Sequence, residues 1–198
     1  MKNNLDTATC ISVFGASSSN LQQEFLDDAR LLGTLMAQHG WTCVNGAGCE
    51  GLMRAVSDGV LDAGGEAIGV IPQFMVDNGW HYDRLSSIIV TASMHERKHT
   101  MARMTQAVVA LPGGCGTMEE LLEVITWRQL KIITSPIIIL NTLGYYDPLV
   151  DMLNRAIDNG FMKKSHGKLW QVVSTPQEAI DAIDWSLTHN NLNIESKY

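Results

Sequence analysis

The stretch Ala107-Val108-Val109-Ala110-Leu111-Pro112-Gly113-Gly114-Cys115-Gly116-Thr117-Met118-Glu119-Glu120 decides the fold. Its first five residues read as a buried strand and Pro112 ends the run. Three glycines then make a tight loop, and Thr117 to Leu130 carries the spacing of a helix. Strand, glycine loop and helix together form the unit of parallel sheets, because a parallel neighbour is reached only by a crossover.

The same unit recurs on either side. Cys10 to Phe14 reads as a strand, Gly15 to Asn20 as a loop of small polar residues, and Leu21 to His39 as a helix ended by Gly40. Trp41 to Asn45 is a second strand, Gly46 to Gly51 a glycine-rich turn, and Leu52 to Ala63 a helix stopped at Gly64-Gly65. Strand Ala67 to Ile71 is halted by Pro72, residues 73–87 read as irregular, and Ile88 to Thr91 as a short strand. A polar helix over Glu96 to Thr105 precedes the opening stretch. Strand Pro136 to Asn141, helix Tyr146 to Asn159, the pair Val172-Val173 and helix Pro176 to Leu187 follow it. Apolar strands alternating with helices predict an α/β protein: a Rossmann-like, doubly wound parallel sheet with helices on both faces. The expected organisation is a single domain over residues 1–198, with its core at about 8–187 and a polar tail at 188–198.

Composition narrows the partners. A length of 198 residues suits one domain. A formal charge of −7 argues against nucleic-acid binding through a broad basic face. The longest dense apolar block, Ile137 to Leu140, is far too short for a membrane span. Met1 to Thr9 carries no basic-then-apolar export pattern. The four cysteines include no C-x-x-C pair and read as reduced thiols, so a soluble, cytoplasmic protein is expected.

Sheets of this kind bind ligands in the loops beyond the carboxyl ends of their strands. Consecutive glycines at 113, 114 and 116 allow close backbone approach to an anion, and a helix start adds partial positive charge. Thr117-x-x-Glu120 also matches a capping box, in which Glu120 only closes the helix end. Met118, Leu121, Leu122 and Ile125 predict the apolar face, with Glu120 pointing away from it beside the loop. Met94-His95-Glu96-Arg97-Lys98-His99 contains H-E-x-x-H, a zinc-peptidase pattern, but two cations lie between the histidines. On the competing reading Arg97 is the point, a planar fork for phosphate or carboxylate. Gly46-x-Gly48-x-x-Gly51 lacks the acidic residue of a dinucleotide site and suits a mononucleotide or phosphate better. Ser17, Ser18 and Ser19 could bond a phosphate or cap the first helix. Cys115 sits where a helix start lowers thiol pKa, without an evident histidine partner. No G-x-S-x-G elbow or G-x-x-x-x-G-K-[ST] loop is present.

Taken together, these motifs resemble the LONELY GUY family of phosphoribohydrolases. Its P-G-G-x-G-T-x-x-E motif is matched from Pro112 to Glu120, and its M-H-x-R-K motif from Met94 to Lys98. Shorter matches are Gly51-Leu52-Met53, Gly69-Val70-Ile71-Pro72, Trp127-x-Gln129-Leu130 and Asn141-x-x-Gly144-Tyr145-Tyr146. The chain departs from the family at Ala16, Asn45 and Ala47, and the methyls of Ala16 and Ala47 are expected to narrow the space for backbone approach. The resemblance implies hydrolysis of the N-glycosidic bond of a nucleoside 5′-monophosphate, a cytokinin riboside monophosphate or AMP. Arg97 and Glu120 would be the catalytic pair. Gly15, Ser17, Ser18, Gly46, Gly48, Met94, Lys98, the loop and first turn formed by Gly113, Gly114, Cys115, Gly116, Thr117, Met118 and Glu119, and Thr126 would bind the nucleotide. It also implies a homo-oligomer, first of all a homodimer, with no metal and no organic cofactor. The lysine decarboxylase label often given to such proteins has no pyridoxal-lysine motif behind it here. The alternative is a noncatalytic nucleotide or molybdenum-cofactor carrier of the same fold.

Overall fold

The computed structural model describes residues 9–190. Seven parallel strands form one sheet: β1 (Cys10–Phe14), β2 (Thr42–Asn45), β3 (Ala67–Pro72), β4 (Ser87–Thr91), β5 (Ala107–Ala110), β6 (Ile137–Leu140) and β7 (Gln171–Val173). Their spatial order is β4-β3-β2-β1-β5-β6-β7. From β1 the chain winds outward one way to β4, then returns across the sheet to place β5 against the other side of β1. That reversal opens a crevice between the carboxyl ends of β1 and β5.

The helices are α1 (Gln23–Gln38), α2 (Gly51–Asp62), α3 (Gln73–Asp77), α4 (Met94–Met104), α5 (Cys115–Gln129), α6 (Asp147–Asp158) and α7 (Pro176–Asn190). Strand pleating sorts the cores. Ile11 and Val13 face the layer built on α1, α2 and α7, while Cys10 and Phe14 face the layer of α4, α5 and α6. Every residue of β1, β2, β3, β5 and β6 is buried, as two covered faces require, whereas the edge strands β4 and β7 are partly exposed.

Several boundaries differ from the sequence reading. Residues 73–87 are not wholly irregular: α3 occupies Gln73–Asp77 and β4 begins at Ser87. α7 runs on to Asn190, past the expected end at Leu187. Residues 1–8 and 191–198, the latter covering most of the expected polar tail, lie outside the described residues. α5 begins at Cys115, two residues before Thr117, with Gly114 as its cap and no side-chain cap bond. Thr117 and Glu120 therefore both lie inside the helix, and the capping-box reading fails. The cap exists one helix earlier, at Ser93-x-x-Glu96. There the Ser93 hydroxyl accepts from the Glu96 N–H at 3.1 Å, and the Glu96 carboxylate accepts from the Ala92 N–H at 2.8 Å.

α1 and α2 pack backbone to backbone. A Cβ on Gly59 would stand 2.0 Å from the Arg30 carbonyl oxygen, and one on Gly33 would stand 2.1 Å from that of Val56. Neither backbone can yield without separating the helices. Gly59→Ala is expected to destabilise the protein by about 1–3 kcal/mol, the usual cost of overpacking. Urea unfolding monitored by circular dichroism checks this; an unchanged midpoint would show that the helices are not in such close contact.

Candidate active site

The serine-rich loop after β1 and the glycine-rich loops after β2 and β5 meet at the carboxyl edge of the sheet, and the backbone of Ala16 ties them together. Its N–H donates to the Pro112 carbonyl at 3.1 Å, joining the loops after β1 and β5. Its own carbonyl accepts from the Leu52 N–H at 2.8 Å, joining the start of α2. Its methyl packs against the core, and that of the fully buried Ala47 lies against Gly69. The expected narrowing at Ala47 does not occur, because Ala47 has a positive φ of 61° and turns its methyl away from the cavity lining.

The cavity at this junction has a volume of about 660 Å³. The first loop contributes Gly15, Ala16, Ser17 and Ser18, and the second contributes Gly46, Gly48, Cys49, Glu50 and Met53. The start of α5 contributes Gly114, Gly116, Thr117 and Glu120, and α4 contributes Arg97. Met75 and Trp80 close one part of the wall.

Arg97 and Glu120 are both buried, and their side chains meet at 3.1 Å between Nη2 and Oε1. The Arg97 Nε–H donates to the Val70 carbonyl at 3.1 Å, which fixes the guanidinium to the end of β3. Gly46 supplies the room: a Cβ there would fall 2.0 Å from Arg97 Nη2. Burial raises the Glu120 pKa above the ordinary carboxylate value, and the Arg97 charge opposes that rise. Tyr146 steadies the floor by donating its hydroxyl to the Leu111 carbonyl at 2.7 Å, and Tyr145 does the same for the Gly113 carbonyl at 2.6 Å.

The expected site residues divide by helical geometry. Gly15, Ser17, Ser18, Gly46, Gly48, Arg97, Gly114, Gly116, Thr117 and Glu120 all line the cavity. Cys115, Met118, Glu119 and Thr126 do not; with Leu122, Glu123 and Trp127 they line a shallow groove on the outer side of α5. Thr117 and Glu120 share the inner face at a spacing of three, so their neighbours must point out. Met118 and Leu122, expected in the apolar core face, are half-buried and exposed respectively. Lys98 is held outside by the carboxylates of Glu119 and Glu123, at 2.5 and 3.0 Å. Met94 is exposed, with its sulfur 3.8 Å from Arg97 Nη1, and Gly113 is covered by Thr117. His95 and His99 are exposed on α4, Glu96 serves the helix cap, and no metal-holding cluster occurs among the described residues. Ala16, Cys49, Glu50, Met53, Met75 and Trp80 also line the cavity and were not among the expected site residues. The available signal was Gly79-Trp80, an aromatic beside a turn glycine in a stretch read as irregular.

An open crevice at the switch point of a parallel sheet, with a helix start and a buried cation–carboxylate pair inside it, defines a Rossmann-like protein with a cavity of small-molecule size. A family model described as "possible lysine decarboxylase" matches residues 53–183. Cytokinin riboside 5′-monophosphate phosphoribohydrolase LOG5 of Arabidopsis thaliana is 38% identical over 174 residues, covering 88% of this chain and 76% of that protein. The probable phosphoribohydrolase LOGL9 of Oryza sativa subsp. japonica is 41% identical over 166 residues, covering 84% and 72%. Among solved structures, the Moco carrier protein of Chlamydomonas reinhardtii superposes with a TM-score of 0.71 at 25% identity, covering 91% of this chain and 98% of that one. A Helicobacter pylori DNA processing protein A, 13% identical with a TM-score of 0.57, shares the fold alone. The chain belongs to the LONELY GUY family of cytokinin riboside 5′-monophosphate phosphoribohydrolases. The decarboxylase description does not fit the site: no lysine among the described residues lines the cavity, so none of them could form an imine there with a pyridoxal aldehyde.

Because the Arg97 charge opposes the effect of burial, Arg97→Met is expected to raise the Glu120 titration midpoint further. Carbon-13 NMR of glutamate-labelled protein measures it, with Glu120→Gln assigning the signal. A midpoint that stays in place or falls would contradict the coupling.

Proposed function

We propose that the protein hydrolyses the N-glycosidic bond of nucleoside 5′-monophosphates, AMP and N6-substituted adenosine monophosphates among them, to the free base and ribose 5-phosphate. The observation that carries this reading is the buried Arg97–Glu120 pair set inside the cavity, one turn along from an uncapped helix start. The first turn of α5 holds no acidic residue and Gly114 makes no side-chain cap bond, so its backbone N–H groups remain available to the phosphate. Ser17 and Ser18 add hydroxyl donors from the first loop. From Cys115 to Glu120 the helix rises roughly 7 Å, the scale of a ribose carrying its 5′ ester.

Departure of the base leaves positive charge on the ribose ring. The Glu120 carboxylate stabilises that charge and takes a proton from the attacking water as the water oxygen bonds the anomeric carbon; the base leaves with the bond electrons, and the proton held by Glu120 passes to it through solvent, which restores the carboxylate. The Arg97 charge opposes the rise that burial imposes on the Glu120 pKa, and the contact holds the carboxylate's orientation. A cofactor carrier needs no such pair, which favours the enzyme over the carrier reading.

The outer groove of α5, with Met118, Leu122 and Trp127, is the proposed homodimer contact, and a partner's helix there would stand close to the cavity mouth. No helix among the described residues is long and apolar enough to cross a membrane, and the cytoplasm is the proposed compartment, supported by the absence of a disulfide among the described cysteines.

Incubation with AMP is expected to release adenine and ribose 5-phosphate in equal amounts. Glu120→Ala should lower kcat by roughly 10²–10⁴-fold, the range for loss of a positioned acid–base group. Since the carboxylate form works and burial raises its pKa, kcat/KM should climb with pH through a midpoint above the ordinary glutamate value. No base released from any purine monophosphate would reject the activity, and full turnover by Glu120→Ala would reject the mechanism.

A further inference from the structure

Trp80 combines two properties that rarely coincide in a loop. Half of its surface is exposed, yet the backbone on both sides of it is pinned. On one side, the Gly79 N–H donates to the Val76 carbonyl at 2.8 Å and the Trp80 N–H to that of Met75 at 3.1 Å, closing α3 through the left-handed Gly79. On the other side, His81 forms an antiparallel bridge to Gly48, and the Tyr82 N–H donates to the Ala47 carbonyl at 2.9 Å.

An ionic clamp backs this arrangement. The Tyr82 hydroxyl donates to Asp58, and Arg84 bonds Asp58 and Asp62 at 2.8 Å each. The Arg54 guanidinium lies over the Tyr82 ring, 5.3 Å from its centre. A loop tied at this many points to α2 and the second glycine turn holds a large flat ring at the cavity wall and leaves about half of it exposed.

Cavity chemistry is divided in the same way as a nucleotide. Ser17, Ser18 and the α5 start are polar, Arg97 and Glu120 are charged, and Met75 and Trp80 are the apolar wall. We infer that Trp80 is the stacking platform for the nucleobase and sets a preference for purines over the smaller pyrimidines. This rests on the nucleotide reading above. Stacking of a base on an aromatic side chain changes affinity roughly five- to a hundredfold, and a two-ring base covers more of the indole than a one-ring base does.

The test uses the full-length wild type, Trp80→Ala and Trp80→Phe with AMP and UMP. Trp80→Ala should raise KM for AMP about tenfold with kcat within about twofold, and the AMP-to-UMP preference in kcat/KM should fall by a similar factor. Trp80→Phe should recover most of the loss. Equilibrium binding of AMP, read by quenching of tryptophan emission and by calorimetry, separates the two claims. If no protein releases base but AMP binds wild type about tenfold tighter than Trp80→Ala, the platform stands and the hydrolase reading falls. An unchanged KM and Kd for AMP in Trp80→Ala overturns the platform while wild-type turnover upholds the hydrolase. Failure of AMP to bind wild type overturns both.

Discussion

A guanidinium and a carboxylate buried against each other constrain much of this molecule. Removing water from two charges is expensive, and a mutual contact repays it only when each partner is held in place by other bonds. Here Arg97 meets Glu120 through Nη2 at 3.1 Å and donates its Nε–H to the Val70 carbonyl at 3.1 Å. The end of β3, the missing side chain at Gly46, the capped start of α4 and the inward face of α5 all serve that one contact. Deleting either partner leaves an uncompensated buried charge, a loss of ~3–5 kcal/mol. Charge placement and fold are therefore coupled, and the pair sits at the sheet's switch point because that is where α4, α5 and two glycine loops converge.

The fold was largely legible because its signals are local. Continuous apolar runs such as Ile137–Leu140 belong to strands covered on both faces, and glycine loops mark where the chain turns into a helix. The inward residues of the site were legible for a related reason: loops after parallel strands must gather at one edge. Other features could not be read from spacing. Thr117-x-x-Glu120 and Ser93-x-x-Glu96 have the same pattern, and only the true position of each helix start shows that the second is a cap and the first is not. Which face of α5 turns inward was hidden because polar Thr117 and Glu120 share the buried face with Leu121 and Val124, while apolar Leu122 is exposed. Lys98 sits one residue from Arg97, yet a rotation of about 100° per residue takes it to Glu119 and Glu123 on the outside. Trp80 escaped because its place depends on long-range ties to Gly48, Ala47 and Asp58.

Net charge proves to be a poor guide to the ligand. The chain carries −7 overall, but the cavity draws on backbone N–H groups at a helix start and on one guanidinium already half neutralised by Glu120. The anionic ligand proposed for the site would be attracted by oriented dipoles close at hand, which act over a few ångströms, while distant surface carboxylates are screened. Lys98, the more obvious cation, is neutralised by two acids and takes part in joining α4 to α5.

Arg97 and Glu120 are proposed to act as one unit. A double-mutant cycle on kcat/KM for AMP, using Arg97→Met, Glu120→Gln and the double variant, measures this directly. If the two residues work together, the double variant is no worse than about the poorer single one, because loss of either partner already disables the other. Losses that multiply would mean independent roles and contradict it.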